Sequence, residues 1–202
     1  LARAHRARPP PPPPRRAPPP PPADIPVLAT SITEYGVALG IDNFSGKTGI
    51  NVSGTSDLAP LDQQAAMFKE LLPDAKKVGI LYCSNEANSK YQVTVVKGEL
   101  EKSGIEVAEY SFADSNDIAQ VVTKACEEMD ALYIPTDNKC ADNAALINSI
   151  AEPAKKPIIA GEEGICKGCG IATLSISYST IGYNTGFMAY EILFTGKNPA
   201  GN

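Results

Sequence analysis

The chain has 202 residues, of which 18 are basic and 23 acidic, so its formal net charge at pH 7 is −5. An acidic chain is a poor partner for phosphate backbones, and nucleic-acid binding is therefore not expected. No apolar run approaches the ~20 residues that a membrane helix needs, and the length suits one sizeable domain or two small ones.

The first 22 residues differ sharply in composition from the rest. They hold 11 of the 18 prolines, all five arginines and the single histidine, and they lack acidic residues. Proline runs cannot bury enough apolar surface to fold, so residues 1–23 are expected to be a disordered Pro/Arg-rich segment. A linker or a misassigned start explains this composition, and a ligand for an SH3-like groove or an anionic surface is the alternative. No secretory signal peptide is visible, because the basic start leads into proline.

The predicted elements begin with two apolar runs, at 24–40 and 49–57, that break at polar residues. From residue 76 onward, short apolar runs alternate with longer amphipathic ones. This pattern predicts strands at 76–82, 105–112, 131–135, 156–161 and 170–176, and helices at 88–104, 115–129, 139–152 and 179–195. Such alternation indicates an α/β fold in which helices cover both faces of a parallel sheet.

Polar residues follow the predicted strands at their carboxyl ends, where open parallel sheets bind ligands. The set comprises hydroxyls, amides and carboxylates: Ser31, Thr33, Ser56, Asp57, Ser84, Asn85, Thr136, Asp137, Asn138, Glu162, Glu163, Ser177 and Tyr178. Hydroxyls and backbone N–H groups suit a carboxylate, and an acidic side chain suits an ammonium group. The set therefore fits a free amino acid, although other polar ligands and plain helix capping also fit it.

Three tyrosines, Tyr35, Tyr178 and Tyr183, fall at or just beyond this edge of the predicted sheet. A stacking wall for a planar ligand is one interpretation of them. Ordinary packing in the core or at the rim is the other.

Catalysis is an alternative function for the same residues. The part of the chain after residue 22 has no histidine, so Ser-His-Asp and Cys-His arrangements are not available there. Asp137 with Glu162 or Glu163 would be the candidate acid-base pair. Residues 46–49 lie in a turn before a strand and lack the spacing of a phosphate loop. No cofactor and no metal site are expected.

The cysteine pair in CKGC, Cys166 and Cys169, raises the question of a redox or zinc site. Zinc needs four ligands, and no second pair or nearby histidine is present. A redox pair normally begins a helix, whereas this pair is expected in a glycine-rich turn. A surface turn or a small local disulfide is therefore predicted, and Cys83 and Cys126 are expected to fill the core.

Four strings together carry a family resemblance: INVSGTSDLAP, KELLPDAKKVGILYCSNEANS, ALYIPTDN and PIIAGEEGICKGCGIATLSISY. In this order the sequence resembles, over about residues 24–199, the ABC-transporter substrate-binding proteins of the tryptophan or aromatic amino acid type. The resemblance implies a type I periplasmic-binding-protein fold, in which two flavodoxin-like lobes trap an amino acid. It also implies no catalysis, an extracytoplasmic location in the periplasm or on a lipid anchor, and an ABC permease and ATPase as partners.

The resemblance also implies roles for individual residues. Ser31 and Thr33 would close the last strand of the first lobe and meet the ligand carboxylate, and Asp137 would anchor the ammonium group or the hinge side. The remaining implied ligand-binding positions are Asp57, Asn85, Asn138, Glu162 and Glu163.

The chain departs from the family pattern in several places. Glu34-Tyr35 replaces the usual Asp-Pro, and CKGC interrupts the loop after GEEG. We expect residues 24–56 to be a remnant of the first lobe with the hinge, and 57–202 to be the α/β ligand-binding lobe. Half of the clamp would then be absent, and binding would be weak or lost. A flavodoxin-like sensor or regulatory domain, similar to the effector half of LacI-type repressors, is the alternative.

Overall fold

A computed structural model of the chain describes residues 25–201. The expected Pro/Arg-rich segment, residues 1–23, lies outside the described residues. The strands of the described part are β1 (Val27–Ile32), β2 (Val52–Ser56), β3 (Lys77–Cys83), β4 (Glu106–Phe112), β5 (Ala131–Ile134), β6 (Ile158–Ala160) and β7 (Ala172–Thr173). Its helices are α1 (Tyr35–Leu39), α2 (Leu61–Leu71), α3 (Ala87–Lys102), α4 (Ile118–Glu128), α5 (Asn138–Asp142), α6 (Ala144–Ala151), α7 (Glu163–Cys169) and α8 (Tyr178–Thr195).

The main sheet has five parallel strands in the order β4-β3-β5-β6-β7. Strand β3 comes first along the chain but lies second in the sheet. Strand β4 lies at the edge beside it, and β5, β6 and β7 follow in order on its other side. This is the flavodoxin-like order, and the predicted α/β fold is confirmed. The strand order reverses between β3 and β5. A crevice therefore opens at their carboxyl ends, where ligands bind in such folds.

Two apolar cores separate the main sheet from its helices, because successive strand residues point to opposite faces. On one face, Phe68 of α2 and Leu100 of α3 pack against strand residues such as Ile80. On the other face, α4, α6 and α7 pack against Leu132 and its neighbours. Burying one such side chain contributes roughly 1.5–3 kcal/mol, so these two layers hold the crevice in place.

A buried glutamine ties α2 to the main sheet. The Gln64 amide nitrogen donates to the carbonyl oxygens of Gly161 at 3.0 Å and Leu174 at 2.9 Å, and its oxygen accepts from the Tyr133 hydroxyl at 2.5 Å. Gln64 is fully buried. Because each polar atom has a partner, its burial costs little, and the loops after β6 and β7 are fixed beside the crevice.

A smaller layer consists of the parallel pair β1 and β2, with α8 packed against both strands. Gly54 in β2 has φ +147°, and a Cβ there would lie 1.8 Å from the Ala29 carbonyl oxygen, so the two backbones meet closely. Helix α8 lies within the range 57–202 that was expected to form the second lobe, yet it packs on this smaller layer. Its outward face leaves Phe187, Tyr190 and Phe194 more than half exposed.

Several predicted elements differ from the structure. The helix expected at 139–152 is two helices, α5 and α6, that meet at Asn143. Helix α2 and helix α7 were not predicted, and the strand expected at 170–176 has only two residues. The last helix agrees closely with the prediction and ends at Gly196, whose φ of 73° stops it. In the part of the chain that the structure describes, we find no helix with the length and hydropathy of a membrane span.

Candidate functional site

A cavity of about 570 Å³ lies between the smaller layer and the carboxyl ends of the main sheet, within the size range of small-molecule sites. Its lining comes from the ends of β1, β2, β5 and β6 and from the first turns of α1, α3, α5, α7 and α8. The cavity is lined by Ser31, Ile32, Thr33, Glu34, Val37, Ala38, Asp57, Ala87, Asn88, Thr136, Asp137, Asn138, Ala141, Glu162, Gly164 and Tyr178. The cavity includes the crevice between β3 and β5, where the strand order reverses.

Six of the eight predicted ligand-binding residues line this cavity: Ser31, Thr33, Asp57, Asp137, Asn138 and Glu162. Asn85 and Glu163 do not. The Asn85 amide donates to the Ala113 carbonyl oxygen at 3.1 Å, which braces the turn after β3. Glu163 faces solvent and pairs with Lys167 one helical turn away, at 2.5 Å.

Three of the four acidic side chains around the cavity cap helices. Glu34 accepts from the Val37 N–H at the start of α1, at 2.6 Å. Glu162 accepts from the backbone N–H groups of Gly164, at 2.6 Å, and Ile165 at the start of α7. These carboxylates satisfy the free N–H groups that every helix start leaves, and they hold the cavity walls in position.

Asp137 is the third cap and the most fully bonded of the group. Its Oδ1 accepts from the Cys140 N–H at 2.8 Å, and its Oδ2 accepts from the Cys83 N–H and the Ser89 hydroxyl, both at 2.7 Å. The residue is 1% exposed. Asp137 therefore joins the end of β3, helix α3 and helix α5 through one carboxylate, and its oxygens are occupied by protein donors.

Asp57 is different, because its side chain does not cap a helix. It follows β2 and is buried, with 6% exposure; its Oδ2 accepts from the Tyr178 hydroxyl at 3.3 Å. Its Oδ1 is buried and has no hydrogen-bond partner among residues 25–201. Burial raises the pKa of the Asp57 carboxyl, an effect that the hydroxyls of Thr33 and Tyr178 oppose and the nearby charge of Glu162 reinforces. Asp57, a residue of the cavity wall, thus keeps one carboxylate oxygen that is desolvated and unpaired within the described part of the chain.

Ser31 and Thr33 reach the cavity because the pairing of β1 with β2 shifts register between Ala29 and Ile32. Ser31 has a positive φ of 56°, which changes the direction of the backbone at this point. Thr33 is buried beside Asp57, and its carbonyl oxygen accepts from the Ser56 hydroxyl at 2.9 Å.

Sequence reasoning missed a carboxylate that organises the opposite wall. Glu86, in the turn after β3, accepts from the N–H groups of Asn138 and Lys139, each at 3.0 Å. It also accepts from the side-chain amides of Asn138, at 2.8 Å, and Asn88, at 3.3 Å. Asn138 and Lys139 lie 52 and 53 positions from Glu86 along the chain, so only the strand order could have revealed these contacts.

The three tyrosines have different positions. Tyr178 lines the cavity, whereas Tyr35 is buried and its hydroxyl donates to the Ala29 carbonyl oxygen at 3.1 Å. Tyr183 is 75% exposed and does not line the cavity.

The CKGC segment is helical, so the predicted turn is wrong. Cys166 and Cys169 belong to α7 and are free thiols in this structure, which does not contain the local disulfide that was the alternative. Burial raises the pKa of both thiols, and that of Cys169 reaches about 12. Cys83 and Cys126 are buried in the core as expected. Within residues 25–201, no three His, Cys, Asp or Glu residues form a group that could hold a metal ion.

The model of one protein family, "ABC transporter substrate binding protein", matches residues 22–201. The chain belongs to this family. The match covers the smaller layer, the main sheet and α8, so the whole cavity lies within the region that the family defines. Substrate-binding proteins of this family are generally extracytoplasmic.

Similar proteins include binders of aromatic amino acids. A tyrosine-binding protein of Clostridioides difficile is 36% identical over 170 residues, which are 84% of this chain and 49% of that protein. A structure of an ABC domain in complex with L-Trp from Streptococcus pneumoniae has a TM-score of 0.79 at 34% identity, and covers 88% of this chain and 61% of its own. A conserved domain protein of Vibrio cholerae has a TM-score of 0.79 at 30% identity, with coverage of 87% and 59%. The chain therefore spans about half to three-fifths of the length of these relatives.

Proposed function

We propose that this substrate-binding chain binds a free aromatic amino acid as the solute-binding component of an ABC importer. The observation that carries the proposal is the buried Oδ1 of Asp57, a residue of the cavity wall, which has no hydrogen-bond partner among residues 25–201. Burying an unpaired carboxylate oxygen costs free energy, and a ligand ammonium group would repay this cost with a charge-assisted hydrogen bond.

The charges around the cavity support a ligand with an ammonium group. Its lining contains four acidic side chains and, among the described residues, no lysine, arginine or histidine. Because Glu34, Asp137 and Glu162 are used by helix starts, Asp57 is the carboxylate left for the ligand. We therefore assign the ammonium contact to Asp57 and a positioning role to Asp137, which the family resemblance had implied as the anchor.

The ligand carboxylate must be held without a cationic side chain. Hydroxyl groups and backbone N–H groups can do this, as they do at many anion sites. Ser31 is the hydroxyl best placed for the role, because Thr33 already lies against Asp57. This arrangement places both the ammonium and the carboxylate group of the amino acid on the side of the smaller layer.

An apolar wall remains for the ligand side chain. Ile32, Val37, Ala38, Ala87 and Ala141 line the cavity with short or branched groups, and the ring of Tyr178 is also present. Such a wall suits a flat ring, which buries a large area against small side chains. The tyrosine named for the Clostridioides difficile relative and the L-Trp of the Streptococcus pneumoniae complex fit the same chemistry.

The proposal includes an extracytoplasmic location, a permease and an ATPase as partners, and no catalytic role. A regulatory sensor domain is not favoured, because the family match covers residues 22–201. Catalysis by Asp137 with Glu162 is not favoured either, because both carboxylates are occupied by backbone N–H groups.

A titration followed by ¹⁵N–¹H NMR tests the proposal on the full 202-residue chain, since this method detects even millimolar binding. L-Tryptophan and L-tyrosine are expected to shift the amides of residues 31–34, 57 and 136–138, whereas L-glutamate is not. Asp57→Asn should abolish these shifts, and the matched control Asp74→Asn, on an exposed carboxyl, should leave them unchanged. Absence of shifts with every amino acid would refute the proposed function.

A further inference from the structure

Two asparagine amides line the cavity on the side formed by α3 and α5. The Asn88 nitrogen donates to Glu86 Oε2 at 3.3 Å and to the Thr136 carbonyl oxygen at 3.1 Å. The Asn138 nitrogen donates to the same Glu86 Oε2 at 2.8 Å. The NH₂ groups of both amides are therefore directed to protein acceptors.

This network fixes which way each amide points. An ionised carboxylate and a backbone carbonyl can only accept hydrogen bonds, so the NH₂ group of each amide must face them. The oxygen of each amide consequently lies on the other side. No donor within residues 25–201 bonds to Oδ1 of Asn88 or Asn138, and these oxygens remain available to a ligand.

Glu86 cannot easily turn to change this arrangement. Its Oε1 accepts from the Lys139 N–H and its Oε2 from the Asn138 N–H, each at 3.0 Å, in addition to the two amides. Four donors therefore bond to this carboxylate, three at Oε2 and one at Oε1. The backbone N–H groups at the start of α5 thus hold the Glu86 carboxylate in place, and this carboxylate holds the side-chain amides of Asn88 and Asn138.

We propose that Glu86 sets the specificity of the cavity, because it presents two amide oxygens that favour an amino acid whose ring carries a hydrogen-bond donor. Such donors are the phenol O–H of tyrosine and the indole N–H of tryptophan, and phenylalanine has none. The inference rests on the proposed function, since it concerns the side-chain end of the same ligand.

The physical reason is the cost of leaving an acceptor without a donor. When a ring displaces water from the amide oxygens, a phenol O–H or indole N–H replaces the lost hydrogen bond, whereas a phenyl ring does not. Sites built to bond a ligand O–H or N–H reject analogues that lack it for this reason. Amide oxygens also repel a carboxylate, which places the ligand carboxylate at the opposite end, beside Ser31.

The test compares L-tyrosine with L-phenylalanine on the full chain by the same NMR titration, with L-tryptophan beside its 1-methyl derivative. L-Phenylalanine and 1-methyl-L-tryptophan are expected to bind about tenfold more weakly than their parents. Equal affinities within both pairs would overturn the inference and leave the proposed function intact. Absence of binding by every one of the four compounds would instead refute the proposed function and the inference with it.

Variants distinguish a role of Glu86 in specificity from a purely structural role. The measured quantity is the ratio of the affinity for L-tyrosine to the affinity for L-phenylalanine. Glu86→Gln can donate as well as accept, so it frees the amides to rotate, and the tyrosine-to-phenylalanine ratio should fall towards one. Asn138→Ala removes one oxygen at an exposed position and should lower the ratio in a folded chain. Glu99→Gln, at the far end of α3, is the matched control and should keep the wild-type ratio. An unchanged ratio in both test variants would overturn the inference.

Discussion

The Tyr178 hydroxyl donates to Asp57 Oδ2 across 3.3 Å, although the two residues are 121 positions apart. Asp57 follows β2 and Tyr178 begins α8, so this contact joins the two places where the chain passes between the smaller layer and the main sheet. It pairs one oxygen of Asp57 and leaves the other, Oδ1, without a partner among the described residues.

Asp57→Asn is expected to stabilise the unliganded chain by about 1 kcal/mol, because it removes a buried and incompletely paired charge. The same change should abolish amino-acid binding. Urea unfolding at pH 7 measures the free energy of unfolding. The control Asp74→Asn, at an exposed carboxyl, should change it little. A loss of stability in Asp57→Asn would show that the carboxylate is satisfied without a ligand.

The contribution of Asp57 to the stability of the unliganded wild type should fall as pH rises through the titration of this carboxyl. Its pKa in the folded state lies above the ordinary value of 3.8, so ionisation of this group opposes folding. The penalty is absent below the unfolded pKa and complete above the folded pKa. The stability gained by Asp57→Asn should therefore grow across this interval. Thermal unfolding of both chains from pH 3.5 upward would measure it, and a constant difference would contradict the assignment.

Asp137→Asn should destabilise the chain by about 3 kcal/mol, because an amide cannot accept all three of the hydrogen bonds that the carboxylate accepts. The NH₂ group would face a donor at one of the two oxygen positions. Asp142→Asn, an exposed change near the end of the same helix, is the matched control and should have little effect. Equal unfolding midpoints for the two variants would show that Asp137 does not join β3, α3 and α5.

Gly54→Ala should destabilise the chain by about 4 kcal/mol or prevent folding. A Cβ at this position would lie 1.8 Å from the Ala29 carbonyl oxygen, and φ of +147° is unfavourable for alanine. Gly98→Ala, in the middle of α3 with open space around it, should instead stabilise by roughly 0.5–1 kcal/mol. Circular dichroism melts of both variants test the pair, and opposite signs are expected.

Thiol labelling tests the positions of the five cysteines. Cys166 is half-buried and should react with a maleimide in the native chain, whereas Cys83, Cys126, Cys140 and Cys169 are buried and should react only after unfolding. Mass spectrometry of the native chain should show a single label that Cys166→Ser removes. Rapid labelling at Cys169 would contradict the packing of α7, and rapid labelling at Cys83, Cys126 or Cys140 would contradict their burial in the core.

The main sheet could be predicted from the sequence because its signals are local. The runs at β3, β4 and β5 alternate with amphipathic stretches, and each run is long enough to be recognised. Helix α7 has no such signal, since EGICKGC contains two glycines. Its stability comes from the Glu162 cap and from Ile165, which is buried in the core. Tertiary packing overrides weak helix propensity there, and a single sequence does not show it.

The candidate site could be predicted in outline only. Because the carboxyl ends of parallel strands share one edge, six predicted residues line a common cavity. Strand order does not predict the direction in which each side chain points. Asn85 braces its own turn, Asp137 caps α5, and Glu86 reaches residues more than 50 positions away. Which polar atoms remain free for a ligand depends on these contacts and cannot be deduced from strand order.

Helix α8 packs on the smaller layer although it follows the main sheet in sequence, so the polypeptide crosses between the two layers after β2 and again before α8. Asp57 and Tyr178 stand at these two crossings, and the cavity lies beside both. A molecule seated against Asp57 would consequently lie beside both crossings at once, so its binding would depend on how the two layers are placed relative to each other.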